Sequence, residues 1–139
     1  MSHTSTLLLV LALTLIGFTA NANTYSEKQI QCLAQNIYHE ARGEPYEGQL
    51  AVAYVTLNRT QDKDFKGSIC DVVYQKSQFS WTKHKPKIKE QDAWSTAKGA
   101  ALEAIILHSV GIDNTHGALY FNSGKRKRHA VRIGNHTFY

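Results

Sequence analysis

No lysine, arginine, aspartate or glutamate occurs in the first 22 residues, although charged side chains make up 19% of the 139-residue chain. A stretch without charge is a poor solvated surface, and this one holds the apolar run "TLLLVLALTLIGF" followed by Ala20-Asn21-Ala22. Residues 1–22 therefore read as a secretory leader with a small-residue cleavage site after Ala22. Its basic start is reduced to the amino terminus and His3. The run is shorter than the roughly 20 apolar residues that span a bilayer, which ranks export and cleavage above an uncleaved anchor. Proline is scarce, with only Pro45 and Pro86, and there is no repeat, low-complexity tract or Pro/Ser-rich linker. Residues 23–139 are thus expected to form one domain with one modest core. Only two cysteines occur, Cys32 and Cys70. An even count in an exported small domain favours a disulfide between them over a metal site.

Because the leader carries no charge, the mature domain keeps all 16 basic and 11 acidic residues and a net charge of +5. A polyanionic partner is expected. Outside the cell that means wall polymer, lipid headgroup or polysaccharide; compartment, rather than charge, sets nucleic acid aside. In "TKHKPKIKE" an extended chain would present Lys83, Lys85, Lys87 and Lys89 on one side. With Lys125, Arg126, Lys127 and Arg128 they are the expected contacts to an anionic wall polymer; solvated loops that aid solubility are the other reading. A monomer is expected.

Hydrophobic spacing gives a mostly helical α+β fold with a small late β-sheet. Ser26 caps a first helix with Ile30, Leu33, Ala34, Ile37, Tyr38 and Ala41 on one face, ended by Gly43 and Pro45. "PYEGQLAVAYVTLNRT" reads as a second helix, too apolar between Leu50 and Leu57 for a surface position. Ser68 and Asp71 form a capping-box-like pair before a short third helix that carries Cys70. "QFSWT" is expected as a loop or strand. A further helix runs from about Asp92 to Val110, closed by Gly111. "GALYFNS" and "HAVRIGNHTFY" alternate as strands do, with a tight turn at Gly134-Asn135.

Three acids, Glu40, Glu44 and Glu47, crowd into "HEARGEPYE". Glu40 lies two helical turns after Leu33, at the edge of the buried stripe. Desolvation there would raise its carboxyl pKa toward the range a general acid needs. Arg42 could oppose that shift, and His39 is expected on another face of the helix. Glu47 suits the dipole of the second helix and is assigned a structural role. From the residues alone, a helix end with solvated acids is the favoured reading of "HEARGE". Phe79, Ser80 and Trp81, with Tyr120, Phe121 and Asn122, combine aromatic faces and polar groups suited to a sugar groove; core packing is the alternative. "HEARG" begins like a zinc-protease helix, but the second histidine would fall at Gly43. Cys32 as a nucleophile is set aside by its expected disulfide. No compact ligand set for a metal stands out. A zinc amidase and a non-catalytic wall-binding module remain as alternatives.

Taken together, "IYHEARGEPYEGQLAVAYVTLNR", "GSICDVVYQKSQFSWT", "GALYFNS" and "RIGNHTFY" resemble, in order, the catalytic domain of the SleB-type cell-wall hydrolases, the spore cortex-lytic family. The resemblance implies a lysozyme-like fold and cleavage of peptidoglycan between N-acetylmuramic acid and N-acetylglucosamine. It implies one essential glutamate, at the position of Glu40, acting as general acid and then base in lytic transglycosylation, with no metal or cofactor. Ordinary glycosidases use two carboxylates at set separations; an intramolecular 6-hydroxyl acceptor removes the need for the second. Glu44 is a candidate catalytic helper, with holding the turn or pairing with Arg59 as its other roles. The segment between Trp81 and Asp92 is the least typical, so specificity for spore cortex is not carried over.

Overall fold

The computed structural model describes residues 25–65, 67–124 and 127–139. The expected leader, together with Lys125 and Arg126, lies outside the described residues.

Helix α1, Glu27–Ala41, starts where Ser26 accepts a hydrogen bond from the Gln29 amide, as expected of its cap. It buries Leu33, Ala34, Ile37, Tyr38 and Ala41. The chain breaks at Arg42-Gly43 and re-enters helix at α2, Tyr46–Gln61, with Pro45 as its N-cap. From Gly48 to Leu57 every residue of α2 is buried. A helix apolar around its whole circumference is an internal one, and α2 is the axle of the fold. One side packs with α1, with α3 (Ile69–Tyr74) and with α4 (Gln91–Ser109) around Leu33, Ile37, Tyr54, Leu57, Ile69, Val73 and Ala100. The other side carries Ala51, Val52 and Val55 against Ala41, Ala118 and Phe138.

The short α3 begins at a reciprocal cap: Ser68 Oγ accepts from the Asp71 amide at 3.0 Å and donates to the Asp71 carboxylate at 2.5 Å. Cys70 is bonded to Cys32, tying α3 to α1 across 38 residues, as the cysteine count suggested. In the loop-closure view such a bond stabilises by about 4 kcal/mol. Helix α4 closes with the Gly111 amide on the His108 carbonyl and the Ile112 amide on the Leu107 carbonyl, with Gly111 at φ +83°. These are the two bonds of a Schellman motif, and positive φ is why glycine stands there.

Strands β1 (Phe121–Asn122), β2 (Val131–Ile133) and β3 (His136–Phe138) form an antiparallel sheet in the order β1-β3-β2. Ile133 pairs with His136, so Gly134-Asn135 is the expected two-residue turn. Only the first of its two central residues has positive φ, the pattern of a type II′ hairpin.

Two expectations are corrected. "QFSWT" is neither loop nor strand over Ser80–Lys83 but a 3-10 turn, because Thr82 bonds the Phe79 carbonyl through both its amide and its hydroxyl. The four alternating lysines therefore do not share one extended chain. Lys83 sits in that turn and Lys85 enters the left-handed region at φ +43°, so only Lys87 and Lys89 lie on the stretch that continues to α4.

Candidate active site

Glu40 stands in the last turn of α1, where the helix passes from the four-helix cluster to the sheet-facing one: Ile37 and Tyr38 belong to the first, Ala41 to the second. Its side chain is half-buried. Burial pushes its carboxyl pKa up, and the Arg59 guanidinium pulls against that rise without cancelling it. The negative end of α1 acts in the same direction as burial. Among the described residues no group donates a hydrogen bond to this carboxyl or pairs with it. It is a carboxyl kept short of partners, and its raised pKa favours the protonated form that a general acid needs.

Arg59, in the last turn of α2, entered the sequence reading only as a candidate partner of Glu44, with no place beside Glu40. It is 4% exposed. Its guanidinium lies 4.9 Å from the Phe65 ring centroid, 5.1 Å from that of Phe79 and 5.6 Å from that of Tyr120. Nε donates to the Leu119 carbonyl at 2.7 Å, and one terminal nitrogen is buried without a partner among the described residues. A desolvated cation over aromatic faces gains up to about 2 kcal/mol per ring. Burial lowers its pKa while Tyr120 and Glu40 oppose that, and a guanidinium stays charged regardless.

Glu44 takes another position. Its carboxylate accepts the Asn135 amide at 2.8 Å, fastening the β2–β3 turn to the α1–α2 corner. A Cβ at position 134 would fall 2.2 Å from that carboxylate and 2.9 Å from Pro45, so glycine is required there for closeness as well as for φ. Neither ion pair of the described residues joins Glu44 to Arg59. Arg42 likewise turns away from Glu40: it pairs with Glu90 at 3.0 Å and covers the Tyr38 ring.

The six aromatic and polar candidates divide. Phe79 is 3% exposed, with one face under Arg59 and its ring 6.4 Å from that of Phe121. As a surface for a sugar it is therefore corrected: it backs the wall. Tyr120 is exposed and stacks on Tyr139 at 5.8 Å, while the Asn122 amide donates to the Tyr139 hydroxyl. Phe121 is half-buried between His136 and Phe138, and Ser80 is exposed. Trp81 faces elsewhere, stacking on His39 at 4.5 Å, with its indole N–H held by Asn36 at 2.9 Å. Asn36 is fully buried and also donates to Thr56. Of the second basic cluster, Lys127 lies 3.6 Å over the Tyr139 ring, and Arg128 is exposed. Among the described residues no three His, Cys, Asp or Glu side chains gather closely enough to hold a metal ion.

The profile of the cell wall hydrolase family matches residues 43–139, beginning three residues after Glu40. The spore cortex-lytic enzyme of Oceanobacillus iheyensis is 36% identical over 108 residues, covering 76% of this chain and 37% of that protein. That of Bacillus subtilis is 38% identical over 122 residues, 82% of this chain and 38% of the relative. The chain thus spans little more than a third of the length of these curated relatives. Among solved structures, the catalytic domain of the germination-specific lytic transglycosylase SleB from Bacillus anthracis superposes with a TM-score of 0.66 at 33% identity, over 84% of this chain and 97% of that one. The catalytic domain of the Bacillus cereus SleB protein gives 0.65 at 34%, over 84% and 92%. A helical fold with a small antiparallel sheet, expected from the sequence, is therefore shared with these catalytic domains, and this chain belongs to the cell wall hydrolase family.

Proposed function

We propose that this protein cleaves the glycan strands of peptidoglycan between N-acetylmuramic acid and N-acetylglucosamine, as a lytic transglycosylase with Glu40 as its single acid and base. The observation that carries the proposal is the Glu40 carboxyl: half-buried, raised in pKa and free of hydrogen-bond donors among the described residues. It stands in a fold shared with the catalytic domain of the germination-specific lytic transglycosylase SleB. Protonated, Glu40 donates its proton to the glycosidic oxygen as the C–O bond breaks. The carboxylate so formed then removes the proton from the muramyl 6-hydroxyl as that oxygen closes on C1, giving a 1,6-anhydro ring and regenerating the acid. The nearby Arg59 charge stabilises the carboxylate between these two steps. Glu44, engaged with the Asn135 amide, positions the corner rather than the water of a hydrolytic reaction. Residues 1–22 would export the enzyme to the wall it cuts.

The test is mass spectrometry of the soluble products released from purified peptidoglycan by the protein and by its Glu40→Gln variant. Anhydro-muropeptides from the wild type alone are expected. Reducing-end muramic acid would replace transglycosylation with hydrolysis by water, free stem peptides would replace it with amidase chemistry, and a Glu40→Gln variant as active as wild type would remove Glu40 from the mechanism.

A further inference from the structure

On the side of α1 next to Glu40, a surface groove has been left without a role. Neighbouring residues on a helix point about 100° apart, so His39 opens onto the face adjoining that of Glu40. The His39 ring stacks on Trp81 at 4.5 Å and 30°, and Tyr74 meets Trp81 edge-on at 5.7 Å. These three rings line an open pocket of about 440 Å³ together with Lys85, Pro86 and Lys87. A second pocket of about 320 Å³ shares His39, Trp81, Pro86 and Lys87 and continues the groove toward Arg42.

Three features set this groove apart from ordinary surface. Its wider part contains no carboxylate, while Lys85 and Lys87 are exposed and neither forms an ion pair among the described residues. The wall is held in place: Asn36 fixes the Trp81 indole, and the Tyr38 hydroxyl accepts the amides of Lys89 and Glu90, pinning the segment that follows Lys87. Lys85 has φ +43°, directly before Pro86, a backbone position that costs a residue with a Cβ on the order of 1–3 kcal/mol. The Lys85 amide donates to the Trp81 carbonyl at 3.0 Å, and the strained turn brings the ammonium to 5.8 Å from the Tyr74 ring centroid. Burial, and after it the Arg42 charge, hold the His39 pKa down, which disfavours a positive charge on the aromatic wall.

We propose that this groove binds the carboxylate-bearing peptide stem of the glycan strand whose sugars lie across Glu40. The inference rests on the glycan-cleavage reading and extends it to a second part of the same substrate. Sugar rings are neutral and would gain little charge attraction from Lys85 and Lys87, which pair with no acid; the carboxylate of the narrower part, Glu90, is held by Arg42. A peptide stem offers carboxylates to Lys85 and Lys87 and flat amide groups and short apolar side chains to Trp81 and His39. Of the eight basic residues expected from the sequence to contact wall polymer, Lys85 and Lys87 are the ones that line the wider part of this groove. Lys127 does not line this groove.

The test is a nuclear magnetic resonance titration of the protein with a disaccharide–tetrapeptide muropeptide and with the same disaccharide lacking its stem. The stem-bearing ligand should shift the Trp81 indole N–H and the amides of residues 85 and 87–88; the bare disaccharide should not. Lys85→Glu with Lys87→Glu, both at exposed positions and so compatible with folding, should weaken the stem-bearing ligand about tenfold or more. Equal shifts from the bare disaccharide would make the groove a sugar subsite and overturn the proposal. So would stem binding that ignores the lysine reversals, a shift of these signals by anionic lipid vesicles in place of the muropeptide, or no binding at all. Release of soluble products from whole peptidoglycan, measured alongside, tests the cleavage reading separately. Cleavage without stem binding defeats the groove alone; stem binding without cleavage defeats the glycan-cleavage reading alone.

Discussion

Glu40 and Asp113 are both partly buried carboxylates, and burial pushes both pKa values upward, yet they end on opposite sides of their ordinary values. In the loop between α4 and β1, Asp113 accepts from the Thr115 amide at 2.7 Å, the Thr115 hydroxyl at 2.6 Å, and the Asn58 side chain and Gly117 amide at 2.8 Å each. Those donors outweigh burial and hold its carboxyl below the usual range. Glu40 has the burial without the donors, and only the more distant Arg59 charge opposes it. Desolvation supplies the tension in both regions; hydrogen-bond donors decide whether it is relieved in favour of structure or kept for chemistry.

The strongest way to break the comparison is Glu40→Gln. It should lower kcat on peptidoglycan by about 10²–10⁴ with little change in binding, read from product release against sedimentation with insoluble wall. An unchanged kcat would make Glu40 a second, poorer Asp113. Next in size is Asp113→Ala, which strands several donors at once. A loss of about 2–3 kcal/mol, or roughly 10 °C in Tm, is expected by thermal denaturation, with specific activity of the folded fraction retained.

Arg59→Gln sharpens the electrostatic half. With the opposing charge removed, the Glu40 pKa should rise further, and the high-pH limb of the kcat profile should move to higher pH. A limb that stays in place would show that Arg59 serves only its aromatic cage. The smallest effect is on stability. Glu40 has a folded pKa above its unfolded one, so it favours the folded state at low pH, and that favour is lost as pH rises through the folded value. Asp113 has the reverse sign: its contribution is present above the unfolded pKa and is lost as pH falls through the folded one. Glu40→Gln should therefore raise Tm slightly at pH 7 and less at pH 4, whereas Asp113→Asn should cost Tm at pH 7 and progressively less below about pH 4, the ordinary aspartate range.

The parts legible in the sequence were those set by local chemistry. Ser26, Ser68 with Asp71, Gly111 and Gly134 each mark an element end through a hydrogen bond or dihedral angle that few residues can supply. The Cys32–Cys70 bond followed from counting, and the half-buried position of Glu40 from helical spacing. The parts that stayed hidden depend on residues far apart in the chain. Nothing near Arg59 signals that Phe65, Phe79 and Tyr120 will converge on it, and an arginine at a helix end ordinarily reads as solvated. The alternating lysines misled because period-two spacing is informative only in extended backbone, and Lys85 leaves that region. Phe79 and Trp81, offered together as groove or core because both present aromatic faces beside a hydroxyl, part ways in space. The 3-10 turn between them sends one under Arg59 and the other against His39.

The Glu44–Asn135 hydrogen bond joins positions 91 residues apart. The Cys32–Cys70 crosslink can close once the first two helices and the short third one have emerged, but the corner beside Glu40 stays untied until the hairpin of residues 131–138 has been made and paired. Assembly of the proposed catalytic corner is thus a late event in the life of each new chain, and such long-range closure is slow compared with helix formation. A chain whose hairpin has yet to form would carry Glu44 unbraced and the corner beside Glu40 untied. By this timing the proposed cleavage would stay silent until residues 131–138 have been made and paired.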